Sequence, residues 1–140
     1  MSRLDLATAQ RIVAIAREHG RSLDLAPLAI AVLDPGGHLI AFAREDDAGI
    51  LRPQIATGKA WGALGMGVGT RALAGKGSDF LAALGAMSGG RVVPSPGGVL
   101  VRDADGAVLG AVGVTGDTGT NDEACAVAGI GGVGLVPDVG

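Results

Sequence analysis

Leu6, Ala9, Ile12, Val13, Ile15 and Ala16 recur along the N-terminal segment at the spacing of one helix face. They predict a helix from about Asp5 to His19, with Gly20 as its C-cap. Leu28 to Leu33 is an unbroken apolar run, the signature of a buried strand. Asp34-Pro35-Gly36-Gly37 is turn chemistry, and His38 to Arg44 returns as the second strand of a hairpin. After an acidic loop, Glu45 to Gly49, a helix is predicted from about Pro53 to Leu64, with proline suited to its first turn. Gly65 to Gly77 reads as irregular, with one turn around Thr70 to Ala74. Ser78 reads as the N-cap of a short helix that ends near Met87, ahead of Gly89 and Gly90.

Val99 to Arg102 and Ala107 to Val114 are two further apolar runs, and Asp105-Gly106 between them is a hairpin turn signal. Gly113, Gly116 and Gly119 punctuate the exit from the second run, where backbone can approach a neighbour without a Cβ in the way. Thr120-Asn121-Asp122-Glu123 fits the Ser/Thr-x-x-Glu capping box, which starts a helix there with its N–H groups facing the glycine turn. The order is helix, hairpin, helices, hairpin, helix. It predicts an α+β fold, an antiparallel sheet of about four or five strands with helices packed on it. No repeat or linker interrupts the 140 residues, a length that fits one domain spanning residues 1–140.

Composition narrows what fills that frame. Hydrophobic residues make up 48% of the chain, yet Phe42, Trp61 and Phe80 are its only aromatics, so Val, Ile, Leu and Ala must build the core. The 26 glycines are interleaved with apolar runs, which points to close backbone packing within or between subunits rather than to a linker. The formal charge of −3, without a Lys/Arg cluster, argues against nucleic acid, whose phosphates need a basic face. No apolar run approaches a membrane span, and the stretch Met1 to Leu6 lacks the pattern of a signal peptide. A single cysteine, Cys125, suits a reducing compartment, so a cytoplasmic location is expected.

Three nucleotide-motif lookalikes fail on context. Gly69 to Gly77 resembles a Walker A loop but has five residues between its glycines and no Ser/Thr after Lys76. Gly67-Val68-Gly69 follows a helix rather than a strand, and Gly129 to Gly134 lies in or after the last helix. His19 and His38 are the only histidines and have no zinc spacing. His19 suits a helix dipole and His38 an exposed turn, and either serves as an iron ligand only if a haem is bound. Lys59 stands out because its helix is otherwise small and apolar. It either snorkels to solvent or aims at a carboxylate, of a ligand or of Asp122 or Glu123. Asp122 and Glu123 are equally explained by a helix N-terminus, and Arg44 reads as a surface ion pair or an anion clamp.

These segments together resemble the GlcG/HbpS family, also called the haem-degrading domain family, which includes the C-terminal domain of some corrinoid adenosyltransferases. The resembling parts are Ile30 to Arg44, the Lys59-Ala60 helix, Pro96-Gly97-Gly98, and Gly110 to Gly116 followed by Asp122-Glu123, spread over roughly residues 5 to 130. The resemblance implies a profilin-like, PAS-related fold with a five-stranded antiparallel sheet. It also implies a homo-oligomer, for which the small residues of Gly58 to Gly69 would suit subunit contacts. In some members it implies binding of haem or another tetrapyrrole.

Three functions stay open at this point. The first is an oligomeric small-molecule-binding protein, haem being the most nameable ligand, with Arg44, Gly97, Gly98, Thr115 and Gly116 around the ligand. The second is a metal-independent isomerase, lyase or hydrolase for a small carboxylated metabolite. There Lys59 and Arg44 hold the anion, Asp122 or Glu123 moves a proton, and Thr115 polarises a carbonyl. The third is a purely structural subunit whose assembly surface is its function.

Overall fold

The computed structural model describes residues 3–140; Met1 and Ser2, which begin the stretch read above for a signal peptide, lie outside it. Helix α1 (Leu6–Ser22) precedes strands β1 (Ala29–Leu33) and β2 (Leu39–Arg44). Helix α2 (Arg52–Met66), a 3-10 turn (Thr70–Gly75) and helix α3 (Ser78–Met87) follow. Strands β3 (Gly98–Arg102) and β4 (Val108–Thr115), helix α4 (Gly119–Gly132) and the short β5 (Val136–Asp138) complete the chain. All five strands pair antiparallel in the order β2-β1-β4-β3-β5, the α+β sheet expected.

The helix ends correct the sequence reading in three places. α1 runs past Gly20, which is buried inside the helix and is not its cap. A Cβ there would stand 2.6 Å from Leu28 Cδ1, so glycine lets α1 close on the start of β1. Ser78 is the first residue of α3 rather than its cap, a place taken by Gly77 with no side-chain bond. The cap of α4 is Thr118, two residues before the predicted Thr120, and its hydroxyl accepts from the Asn121 N–H at 3.2 Å. Glu123 is thereby released from a capping box and, as shown below, is claimed by an arginine.

Strand alternation divides the sheet into two unlike faces. Ile30, Val32, Val99, Val101, Val112 and Val114 join Ile12, Val13, Cys125, Ala126 and Ile130 in one core under α1 and α4. The other face of β1 presents Ala29 and Ala31 to Ala56 of α2, with Leu33, Leu100 and Ala111 meeting Ala60 and Ala63. α2 therefore lies almost on the sheet: a Cβ on Gly113 would stand 1.9 Å from the Ala56 carbonyl oxygen. Ala56, Ala60 and Ala63 of this helix pack on the chain's own sheet, and Gly58 and Gly62 lie against Arg91 to Val93.

Candidate functional site

Lys59 leaves α2 on one face and Asp122 leaves α4 on the other, and the two meet at the strand ends where β4 exits and β3 begins. Lys59 Nζ donates to Asp122 Oδ2 at 3.0 Å and to the Val114 carbonyl at 2.9 Å. Both residues are buried, at 2% and 1% exposure, so this lysine does not snorkel. Asp122 Oδ1 accepts the Asp117 N–H at 2.9 Å, which occupies the second carboxylate oxygen. Burial pulls the lysine pKa down and pushes the Asp122 pKa up, and each charge opposes the shift of the other.

Thr115 is buried beside this pair, and its hydroxyl accepts from Arg52 Nη1 at 2.8 Å. Gly97 has φ +125, and a Cβ on it would stand 2.9 Å from Lys59 Nζ. Its glycine identity thus makes room for the lysine. Gly98 lies against the Lys59 carbonyl and Gly116 against the Pro27 carbonyl, a Cβ falling 2.3 and 2.2 Å from those oxygens. Every glycine assigned to the ligand in sequence faces the chain's own backbone or Lys59.

Two predicted partners lie elsewhere. Glu123 is bonded by Arg71, through Nε at 3.1 Å and through a second contact from Nη2, and does not meet Lys59. Arg44 donates through Nη1 to the Ala48 carbonyl at 2.8 Å and closes the acidic loop. It shares a row of the sheet with Thr115, with Ala29 between them. Sequence reading passed over Arg52, Arg71 and Asp117. Asp117 accepts from the Ala26 N–H at 3.0 Å and from Asn121 Nδ2 at 2.8 Å, and these bonds, Asn121 first, hold its carboxyl down to about 2. An acid just before a capping threonine was the one available signal.

The histidines sit apart from this network. His19 is half-buried in the last turns of α1. His38 is 81% exposed at the start of β2, and its Nδ1 lies 3.1 Å from Asp34 Oδ1. The Asp34 carboxyl is held below its ordinary range, by the His38 backbone N–H first, so it is an ionised acceptor and Nδ1 must be the donor. Asp34, Pro35 and Leu39, on either side of His38 in sequence, line a cleft of about 800 Å³ together with Arg3, Asp5, Leu6, Ile40 and Leu109, while His38 itself does not line it. Leu6 and Leu39 stand more than half exposed at this cleft. The volume is that of a small-molecule pocket, and the lining mixes Leu, Ile and Val with the charged Arg3, Asp5 and Asp34. A lone imidazole backed by a carboxylate is a side chain that would be able to hold a haem iron.

Among the described residues no three His, Cys, Asp or Glu side chains converge on a metal position, and no helix is long and apolar enough to cross a membrane. Comparison with known proteins gives a consistent picture. The sequence family described as haem degrading protein HbpS-like matches residues 4–131. Among solved structures, the PduOC:heme complex superposes with a TM-score of 0.87 at 24% identity, over 96% of this chain and 97% of that one, a likeness of fold. Protein ORFY of Klebsiella pneumoniae gives 0.83 at 25% identity, over 96% and 93%. A double mutant of HbpS from Streptomyces reticuli gives 0.78 at 27%, over 94% and 87%. None of the curated proteins matches the sequence.

Proposed function

The chain belongs to the family of haem-degrading HbpS-like proteins, and we propose that it binds haem or a related tetrapyrrole in the cleft beside Asp34 and His38. The observation that carries this reading is the exposed His38 imidazole, its Nδ1 3.1 Å from Asp34 Oδ1, in a turn whose Asp34, Pro35 and Leu39 line the cleft. Leu6, Leu39, Ile40 and Leu109 offer the ring an apolar bed, and Arg3 offers a propionate a charged partner. Haem held there would supply one-electron and dioxygen chemistry, while the chain would supply the ligand and its orientation. His19 is the weaker candidate, because the rise of α1 puts it about 20 Å along the helix from Leu6. The membership of a family whose name records haem, and a neighbour solved with haem, support the same ligand.

We further propose that the protein is a homo-oligomer in a reducing, cytoplasmic setting. α3 supports the first part: it buries none of its residues and exposes Phe80 and Met87. Cys125, free and buried, supports the second. Hemin titrated into the purified protein should give a Soret shift that saturates at one equivalent per chain. His38→Ala should abolish the saturable shift and His19→Ala should leave it. A titration without saturation, or one indifferent to His38→Ala, rules the assignment out.

The enzyme reading has one observation in its favour, the 3.0 Å contact that puts Lys59 on Asp122 in a buried setting. With Glu123 on Arg71 and Arg44 on Ala48, its machinery reduces to Lys59, Asp122 and Thr115. It requires Lys59→Met to remove turnover of a carboxylated substrate while the fold persists.

A further inference from the structure

A second cleft, of about 490 Å³, opens between the first turns of α2 and the turn that follows α3. Trp61 forms one wall, and the Arg91 guanidinium lies over its ring at 4.1 Å from the centroid. Gln54 and Thr57 supply its polar edge. Gly89 and Gly90 sit at φ +71 and +83, with nothing within 4 Å of where a Cβ would stand, so this side of the cleft is open. Gly58 fixes the floor: a Cβ there would stand 2.8 Å from the Arg91 carbonyl oxygen, so helix and turn are in contact.

The charge of this cleft has one sign. Arg91 is the sole charged residue among those that line it. Its Nε donates to the Ser88 carbonyl at 2.8 Å. Among the described residues its Nη groups make no hydrogen bond, and no carboxylate lies within ion-pair distance. The first turn of α2 carries neither an acidic residue nor a side-chain cap, so the helix dipole adds to the positive field. A guanidinium pinned by a carbonyl and stacked on an indole has little rotamer freedom left to lose on binding. Its free edge has the fork geometry that matches a carboxylate.

We propose that this cleft binds a small planar carboxylate, its anionic end paired by the Arg91 fork and its flat apolar body against Trp61. One cation and an indole wall suit a monoanion with an apolar part better than a phosphate, which would call for more donors. The site is separate from the His38 cleft and does not depend on the haem reading.

Trp61 is the only tryptophan of the chain, so its emission reads this cleft directly. Haem-free protein titrated with benzoate should show a saturable change in that emission. Benzyl alcohol should give none, and inorganic phosphate should bind at least tenfold more weakly. Arg91→Gln should weaken benzoate at least tenfold, and Arg91→Lys should fall between. In the unsubstituted protein, benzoate should move the amide resonances of Gln54, Gly89 and Gly90, a readout that needs no variant to fold. Equal response to benzyl alcohol, a preference for phosphate, benzoate binding unaltered in folded Arg91→Gln, or resonance shifts confined to other residues would each overturn the proposal.

Discussion

Under α1 and α4 the sheet presents Ile30, Val32, Val99, Val101, Val112 and Val114 to Ile12 and Ile130. Under α2 the same strands present Ala29, Ala31, Gly98, Ala111 and Gly113 to Ala56, Ala60 and Ala63. The first face gains stability from buried apolar area, roughly 25 cal/mol for each Å² removed from water. The second face buries Leu33 and Leu100 as well, but between them its Ala and Gly positions bring helix backbone into contact with strand backbone. That proximity has a consequence for the polar groups. With α2 so low on the sheet, a lysine on it reaches the strand ends and meets an aspartate from the opposite layer. One face tolerates small changes of volume; the other has no room for them and carries a buried ion pair.

The sharpest way to break this contrast is to remove one half of the pair. Asp122→Ala strands the Lys59 charge at 2% exposure with a carbonyl as its remaining partner. Leaving a buried charge uncompensated costs about 3–5 kcal/mol, which urea unfolding should show as a large fall in midpoint. The double change Lys59→Met with Asp122→Leu should recover most of the loss, because apolar replacement of both partners is often neutral. A single variant as stable as the parent would mean that the pair is solvated and the α2 face ordinary.

A smaller effect compares the faces directly. Gly113→Ala pushes a methyl to 1.9 Å from the Ala56 carbonyl oxygen, so α2 must lift from the sheet. Overpacking of this kind costs about 1–3 kcal/mol or more. Ile30→Val, on the α1/α4 face and also fully buried, removes one methylene and should cost about 0.5–1.5 kcal/mol. Denaturation of the two variants under one set of conditions checks the order. If the change at Gly113, also of one methylene, proved the milder, backbone contact would not be what holds α2.

The parts of this molecule that could be read in advance are those whose cause is local. The apolar spacing of α1 and the turns at Asp34 to Gly37 and Asp105-Gly106 placed a helix and two hairpins within a few residues. Lys59 could be singled out because a lone charge in a small-residue helix has no local explanation. Its partner could be guessed but not fixed, since the contact spans 63 residues of sequence. Glu123 shows the opposite failure. Its spacing after Thr120 satisfied a local rule, yet Arg71, from a segment read as irregular with one turn, takes its carboxylate. β5 was invisible for a related reason: three residues with Pro137 in the middle become a strand only because β3 offers an edge. The glycines before and after β3 and β4 were read as space for a ligand, and tertiary packing fills that space with the chain itself.

The smallest effect separates two aspartates five residues apart that face opposite conditions. Asp117 lies at the surface joint between the α1–β1 connection and α4, and its pKa is lowered from 3.8 to about 2 by bonds from Asn121 and Ala26. The unfolded chain therefore binds the proton first as pH falls. The contribution of Asp117 is complete above its unfolded pKa and is lost between about pH 4 and 2. Asp122 has the opposite sign, because burial raises its pKa above 3.8 and the folded chain takes the proton first. Its contribution is fully present below the unfolded value and declines as pH rises through the folded one. Asp117→Asn should thus flatten the acid limb of melting temperature against pH below about 4, and Asp122→Asn should change the slope above it. The two variants should act in different pH windows and with opposite sign. If both flattened the same limb, the buried Lys59–Asp122 pair would be behaving like the surface joint, and the contrast between the two aspartates would fail.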